Sequence, residues 1–349
     1  QKKYVLHTIT ERFYSGQPKN TLVTLQKQEI IAKQLIDVVS QRLSKNEHVM
    51  LYIGKRGYSR LLSCHHCGFQ LRCTGCDRAM VAHKNKTLKC HHCDTSISWV
   101  SDCPECRQAE LSPYGAGSQK VEALAQEYWP NHPIIRLDSD NSSKLQVAKQ
   151  IKALDAQPGT VIVGTQMITK GHDINRLNTV IVINIDQQLY SVDFRAEEKL
   201  FAELIQVSGR SGRRHETGYV YLQTQNPKHP IFKNLDKTET FYEYLLQQRH
   251  SFCLPPYHFL SCIFLFGSEK QLSRITVPNE LNDGSTQILG PMPFPAGKRN
   301  KVHCYKIMVS SNCRKKRDRT FVKLKHKISS QTQHRVRMTF QVDTHLSTS

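Results

Sequence analysis

The sequence predicts an α/β protein: a mostly parallel β-sheet covered by helices, interrupted by a cysteine-rich insertion and followed by a small basic α+β region. Short apolar runs of strand length alternate with stretches of helical periodicity, the pattern of a parallel sheet covered on both faces. Eight of the twelve cysteines lie between Cys64 and Cys106, in four C-x-x-C knuckles. The excess of Lys and Arg over Asp and Glu, 49 − 29 = +20, concentrates at the end, where residues 291–349 hold fourteen Lys or Arg against Asp318 and Asp343.

The elements follow in order. Residues 1–6 read as a strand or extended connector, and polar, turn-rich residues run on to Asn20. Leu35, Ile36, Val38, Val39 and Leu43 form an apolar stripe that predicts a helix over about 27–44. A strand at 48–53 leads into the turn Gly54-Lys55-Arg56-Gly57-Tyr58. After the cysteines, Gly115 to Ser118 are placed to cap a helix through Val121, Leu124, Ala125 and Trp129, stopped by Pro130. A strand at 134–137, a helix over about 143–154 and an apolar strand at 161–163 come next, the last running into Gly164. A strand at 179–185, a helix over about 196–207 and a strand at 219–222 complete the alternation, and a further strand is expected at 262–265. The expected division is 1–63 for the start of the α/β lobe, 64–106 for the insertion, 107–250 for the rest of the lobe and 251–349 for the basic domain.

The knuckles are Cys64-His65-His66-Cys67, Cys73-Thr74-Gly75-Cys76, Cys90-His91-His92-Cys93 and Cys103-Pro104-Glu105-Cys106, separated by five, thirteen and nine residues. A C-x-x-C turn aims two thiolates at one point and Zn²⁺ takes four in a tetrahedron, so eight thiols supply two closed, structural sites. The knuckles can pair sequentially, interleaved or nested. Five residues between Cys67 and Cys73 are short for folding two knuckles together, whereas thirteen between Cys76 and Cys90 suit a ribbon hairpin. Nesting is therefore favoured, with Cys73, Cys76, Cys90 and Cys93 around an inner ion and Cys64, Cys67, Cys103 and Cys106 around an outer one. It also returns the chain to its starting point, as an insertion requires. The competing reading, a disulfide framework, sits poorly with regular C-x-x-C pairs in a chain that shows no signal peptide. Cys253, Cys262, Cys304 and Cys313 lack this spacing and read as core or surface thiols.

In open α/β sheets ligands gather at the carboxyl ends of the strands. Two loops are expected there, Gly164-Thr165-Gln166-Met167-Ile168-Thr169-Lys170-Gly171-His172-Asp173 and Gln206-Val207-Ser208-Gly209-Arg210-Ser211-Gly212-Arg213. Arg210 and Arg213, three residues apart, fall on one face of a helical turn, among glycines that let backbone approach a ligand. Paired guanidiniums suit a phosphate, and a cation supplied to a γ-phosphate is the arginine-finger device. In the first loop hydroxyls, Lys170 and free amides can grip a sugar-phosphate backbone. The plain alternative for either loop is a solvated turn. The charge excess points to a polyanion, most simply nucleic acid, against a merely basic surface that aids solubility. With no long apolar run, the expectation is a soluble cytosolic protein that does not enter a membrane.

Together these residues resemble the second helicase lobe and C-terminal domain of the primosomal protein N′ (PriA) family, superfamily 2 DNA helicases that restart stalled replication. The resemblance covers nearly the whole chain. Lys55-Arg56-Gly57-Tyr58 is similar to the turn before the family's zinc insertion, the eight cysteines match its spacing and nested pairing, and the two loops resemble helicase motifs V and VI. Asp193-Phe194-Arg195-Ala196 with Glu198, Leu254-Pro255-Pro256-Tyr257 and Leu289-Gly290-Pro291-Met292-Pro293 resemble further family runs. The resemblance implies a RecA-like lobe with an inserted double zinc ribbon holding two Zn²⁺, followed by a small α+β domain. It implies that Arg210 and Arg213 contact ATP phosphates, that Gln206, Gly171 and Asp173 serve the nucleotide, and that Thr165 and Lys170 lie toward DNA. Forked or single-stranded DNA, primosome proteins and single-stranded-DNA-binding protein are the implied partners, in the cytoplasm.

There are departures. Gly54-Lys55 stands where the family usually has Asn-Arg, Gly117-Ser118-Gln119 where it has Gly-Thr-Glu, Ser208 and Ser211 replace alanines, and residues 268–287 read as abbreviated. No G-x-x-x-x-G-K-[ST] cradle and no Asp-Glu dipeptide occurs, so the phosphate cradle and the acidic Mg²⁺ site of a P-loop helicase are missing. The family carries these upstream. The chain is therefore expected to be the C-terminal part of such a protein, binding ATP and Mg²⁺ only with a first lobe and inactive in hydrolysis alone. The competing functions are a non-catalytic, zinc-dependent module that binds DNA or primosome proteins, and a purely structural zinc protein.

Overall fold

The computed structural model describes residues 18–342 apart from 27–28, 55–61, 65–66, 68, 75–79, 84–86, 91–94, 99, 101, 109–110, 114–117, 138–143, 165–173, 184, 190–192, 210–216, 283, 295–302 and 334. The chain divides into two compact units, one of Gln1–Arg56, Gly115–Gln188 and Lys199–Leu235 and one of Gly57–Tyr114, Leu189–Glu198 and Asp236–Ser349.

In the first unit β1 (Lys19–Thr24), β2 (His48–Ile53), β3 (Ile134–Leu137), β4 (Val161–Gly164), β5 (Leu177–Ile183) and β6 (Tyr219–Thr224) form one sheet in the order β1-β6-β5-β2-β4-β3. Every neighbouring pair is parallel. Parallel neighbours need crossovers, and α1 (Lys33–Ser44), α2 (Ser118–Tyr128), α3 (Lys144–Ala153), α4 (Ile185–Leu189) and α5 (Ala196–Ser208) lie between strands in the chain. All residues of β2 and β4 are buried, as central strands covered on both faces require. The α1 stripe, Leu35, Val39 and Leu43, shares a core with Val49, Leu51, Val121, Trp129, Val161 and Ile181.

Three differences from the sequence reading each trace to a partner distant in the chain. The first helix begins at Lys33, because Ala32 is extended (ψ 131°) and the Gln223 amide of β6 holds the chain before it. Its Oε1 accepts from the Ala32 N–H at 3.1 Å and its Nε2 donates to the Ile30 carbonyl. β5 ends at Ile183, and Ile185 opens a helix instead of closing the strand. There Asp186, fully buried, accepts from Thr224 Oγ1 at 2.5 Å and from the Gln225 N–H at 2.9 Å, which turns the chain inward. β1 was not foreseen, since only Val23 among its six residues is buried; the ladder to β6, not an apolar pattern, defines it. The expected strand at 1–6 lies outside the described residues.

In the second unit the cysteine-rich segment makes two small antiparallel sheets, Gln70–Leu71, Leu62–Cys64 and Leu111–Pro113 in one and Met80–His83, Thr87–Cys90 and Ser96–Ser98 in the other. A compact core of Leu62, Leu71, Cys73, Met80, Leu88 and Cys90 accompanies them. After α6 (Thr238–Ser251), β7 (Phe259–Gly267), β8 (Thr286–Phe294), β9 (His303–Ser311) and β10 (Arg337–Val342) form an antiparallel sheet in the order β8-β9-β7-β10. Alternation sorts its faces. Ile263, Leu265, Ile307 and Val309 pack with Leu324 and Ile328 of α7 (Arg314–Thr332), while Leu260, Cys262, Phe264, Cys304 and Met308 pack with Phe194, Leu254 and Phe294. Gly290 interrupts the β8 register at φ +107°, and a Cβ there would lie 2.6 Å from the Lys306 carbonyl. Cys262 and Cys304 are buried and Cys253 and Cys313 half-buried. The expected α+β domain is present.

Candidate metal centre

Cys64 closes a short strand and Cys67 follows in a tight turn, where its backbone N–H donates to Cys64 Sγ at 3.4 Å. On the other side Cys103, Pro104, Glu105 and Cys106 form a turn closed by Arg107 N–H to the Cys103 carbonyl at 2.9 Å, with Arg107 in the left-handed region at φ +54°. The Leu62–Cys64 strand pairs with Leu111–Pro113, which brings the two turns together. All four sulfurs lie within 4.8 Å of one another. Cys64 Sγ is 3.7 Å from Cys106 Sγ, and Cys67 Sγ is 3.3 Å from Cys103 Sγ. A disulfide would need about 2.05 Å, whereas a tetrahedron with Zn–S near 2.3 Å has edges of about 3.8 Å. The donor set fits a tetrahedral thiophilic cation.

Burial, joined by the neighbouring sulfurs of Cys103, Cys106 and Cys64, pushes the Cys67 thiol up to about 12 against the opposing hydrogen bond from the backbone N–H of Phe69. The Cys67 thiol thus keeps its proton until a divalent cation takes that proton's place. Of the expected inner set, Cys73 and Cys90 are buried in the same small core, and Cys76 and Cys93 lie outside the described residues.

The expected nucleotide and DNA residues divide the same way. Gln206 is exposed on the last turn of α5. Arg210, Arg213, Thr165, Lys170, Gly171 and Asp173 lie outside the described residues. The places they leave from are defined. Gly164 closes β4 opposite Tyr52 of the neighbouring β2, so the loop after Gly164 and the chain after Gly54 leave the sheet from adjacent carboxyl ends. Tyr52 donates to the Glu203 carboxylate of α5, tying that helix to the central strand. Ser208 Oγ donates to Asn20 Oδ1 of β1 at 2.8 Å.

Composition hid one feature. Lys306 and Arg317, two of the fourteen terminal cations, are buried at 3% and 1% exposure. Desolvation lowers the Lys306 pKa, opposed by Cys262, Asp193 and Cys304, and its ammonium lies 5.4 Å from the centre of the Phe294 ring. No sequence signal separates these from the solvent-facing cations, so the terminal charge is not all surface charge.

Fold and thiol cluster define a class: a RecA-like helicase lobe carrying a cysteine-rich, metal-binding insertion, with an additional antiparallel sheet. Residues 111–215 match the family described as helicase conserved C-terminal domain. Residues 73–97 match the PriA DNA helicase Cys-rich region (CRR) domain. Replication restart protein PriA of Haemophilus influenzae is 30% identical over 305 residues, 83% of this chain and 42% of that protein. PriA of Bacillus subtilis is 31% identical over 309 residues, 84% of this chain and 38% of that protein. PriA of Synechocystis is 34% identical over 280 residues, 76% of this chain and 34% of that protein. The chain belongs to the PriA family of replication-restart helicases, and it spans less than half the length of these relatives. Among the described residues no helix is long and apolar enough to cross a membrane.

Proposed function

We propose that this chain supplies the second lobe, zinc insertion and C-terminal domain of a cytoplasmic, ATP-dependent 3′ to 5′ DNA helicase that acts at stalled or repaired forks and initiates primosome assembly. The carrying observation is the union, in one chain of the PriA family, of an all-parallel lobe with a four-thiol cluster inserted after its central strand. In this reading 64–106 is the zinc module, 1–63 and 107–250 are the lobe, and 251–349 is the basic domain. Cys64, Cys67, Cys103 and Cys106 hold one Zn²⁺ and Cys73, Cys76, Cys90 and Cys93 a second, both structural.

Arg210 and Arg213 lie toward the nucleotide phosphates, with Gln206, Gly171 and Asp173 beside them, and Thr165 and Lys170 face the DNA backbone. MgATP would be held jointly with a first lobe, and transfer of its γ-phosphoryl group to water, with ADP as the leaving group, would drive movement. The arginines bind the phosphates and balance charge that redistributes in the transition state. The test is reconstitution. This chain with a separately made first lobe is expected to show DNA-stimulated ATPase, and Arg213→Ala is expected to abolish it; unchanged turnover in the variant refutes the assignment. A second reading, a non-catalytic binding module, is favoured by α7, which carries eight Lys or Arg against one acid. It predicts DNA affinity that falls steeply with salt in the absence of any first lobe.

A further inference from the structure

We propose that the edge formed by β10 and α7 is a docking surface for single-stranded nucleic acid, with Phe340 and Phe259 as base-stacking rings and α7 cations as phosphate contacts. It rests on the DNA-binding reading above and assigns that reading a place and a chemistry. Phe340 is 38% exposed and Phe259 37%, whereas Phe264 and Phe294 of the same sheet are buried in its core. Each ring has cations beside it. Lys325 Nζ lies 5.1 Å from the centre of Phe340 and the guanidinium carbon of Arg314 5.6 Å from the centre of Phe259, while Arg317, 5.9 Å from that ring, is buried and paired with Asp318 and so offers no phosphate contact. Phe321 meets Phe340 edge-on at 5.6 Å and fixes the ring's tilt.

Register sets the interval between the rings. Phe340 stands opposite Ile263, four residues along β7 from Phe259, a separation of roughly 14 Å at about 3.4 Å per residue. That is about four stacked nucleotide steps, and fewer for an extended strand. On α7, Arg314, Phe321 and Lys325 share one row at i, i+7 and i+11, so helix and sheet edge run along the same line. Asp318 falls on this row too. Its carboxylate accepts from Arg317 Nε at 2.9 Å and from the terminal guanidinium nitrogen at 2.6 Å, so its charge is already matched. Cations alone would serve any polyanion. Half-exposed rings flanked by cations, spaced along a basic helix, suit bases on a phosphate chain, where each base offers a flat face to stack.

The test measures binding of a labelled oligo-dT by the zinc-loaded 349-residue chain across a salt series. Phe340→Ala and Phe259→Ala are each expected to weaken binding by about 5- to 150-fold, with the slope of log affinity against log salt unchanged. Lys325→Ala is expected to make that slope shallower by about 0.7. Phe340→Trp is expected to bind normally, its indole fluorescence quenched by oligo-dT. Because both rings are part-exposed, the alanine variants are expected to keep the wild-type thermal midpoint within a few degrees. A Phe259→Ala, Phe340→Ala double variant that binds like wild type overturns this surface while leaving the DNA-binding reading intact. No binding by the wild-type chain at low salt overturns both. Quenching of Phe340→Trp by poly-glutamate but not by oligo-dT assigns the surface to an acidic protein segment and overturns the proposal.

Discussion

Removing the outer metal is expected to unfold the cysteine-rich segment and leave the parallel sheet standing. Among the described residues this segment buries four aliphatic side chains, Leu62, Leu71, Met80 and Leu88. At about 1.5–3 kcal/mol each they contribute roughly 6–12 kcal/mol. A structural Zn²⁺ site contributes a comparable amount, about 10–16 kcal/mol at neutral pH. The strands here are two to four residues long, too short to hold a sheet without help. Losing the metal therefore removes a term as large as the segment's whole apolar core. Cys103→Ser is the chosen perturbation, because Cys103 is fully buried and its sulfur meets Cys67 across the cluster. Elemental analysis is expected to show one metal ion fewer per chain. Hydrogen exchange is expected to lose protection over Leu62–Cys64 and Leu111–Pro113 while β2 and β4 keep theirs. Undiminished protection over Leu62–Cys64 in a metal-depleted variant would refute the reasoning.

Two further predictions concern the parallel lobe. His48 is buried at the start of β2, where desolvation, with the nearby Arg176 charge adding to it, lowers its pKa to about 4, and the neutral Nδ1 accepts from the Thr160 N–H at 3.2 Å. The unfolded chain takes up this proton near pH 6.5 and the folded one refuses it until about 4. Stability is thus whole above pH 6.5 and falls by up to roughly 3 kcal/mol as pH drops toward 4; in urea titrations His48→Gln should flatten this fall, and an unaltered pH dependence would exclude His48 as its source. Gly54 is packed so closely that a Cβ would lie 1.4 Å from Gln188 Nε2. Gly54→Ala must displace the Gln188 amide, the far end of a flexible side chain, at a cost of about 0.5–1.5 kcal/mol, and Gln188→Ala should remove that cost; strictly additive effects in that double-mutant cycle would show that the two do not meet.

How much of this was legible depended on whether the determining interaction was local in sequence. β2 and β4 were readable because a strand buried on both faces is apolar throughout, and the outer thiol set because knuckle spacing constrains which pairs can meet. β1 was not readable. Its Lys-Asn-Thr-Leu-Val-Thr has no apolar alternation, and what makes it a strand is a ladder to Tyr219–Thr224, some two hundred residues away. The late start of α1 depends on Gln223, 191 residues from Ala32, and the early end of β5 on the Asp186–Thr224 bond, which spans 38 residues. Burial of Lys306 and Arg317 was invisible for the same reason, since β9 is covered on both faces by segments from elsewhere in the chain and nothing in the local run of residues records that cover.

The same remoteness bears on the substitutions that set this sequence apart from the pattern it resembles. Read singly, Gly54 for asparagine and Ser208 for alanine suggest relaxed constraint. In the structure each is met by a partner from elsewhere in the lobe. The space at Gly54 is filled by Gln188 from the α4 end, and the added hydroxyl of Ser208 reaches Asn20 on the edge strand. A position whose constraint had simply lapsed would leave a cavity or a buried hydroxyl without an acceptor, each costing about 1 kcal/mol or more. Here a larger side chain occupies the one and an amide oxygen accepts from the other. Both positions are therefore packed against a specific partner in the lobe, Gly54 against the Gln188 amide at the carboxyl end of β2 and Ser208 against Asn20 at the last turn of α5. Gly54→Asn should therefore be better tolerated with Gln188→Ala than alone, and Ser208→Ala should remove the donor that Asn20 Oδ1 accepts from.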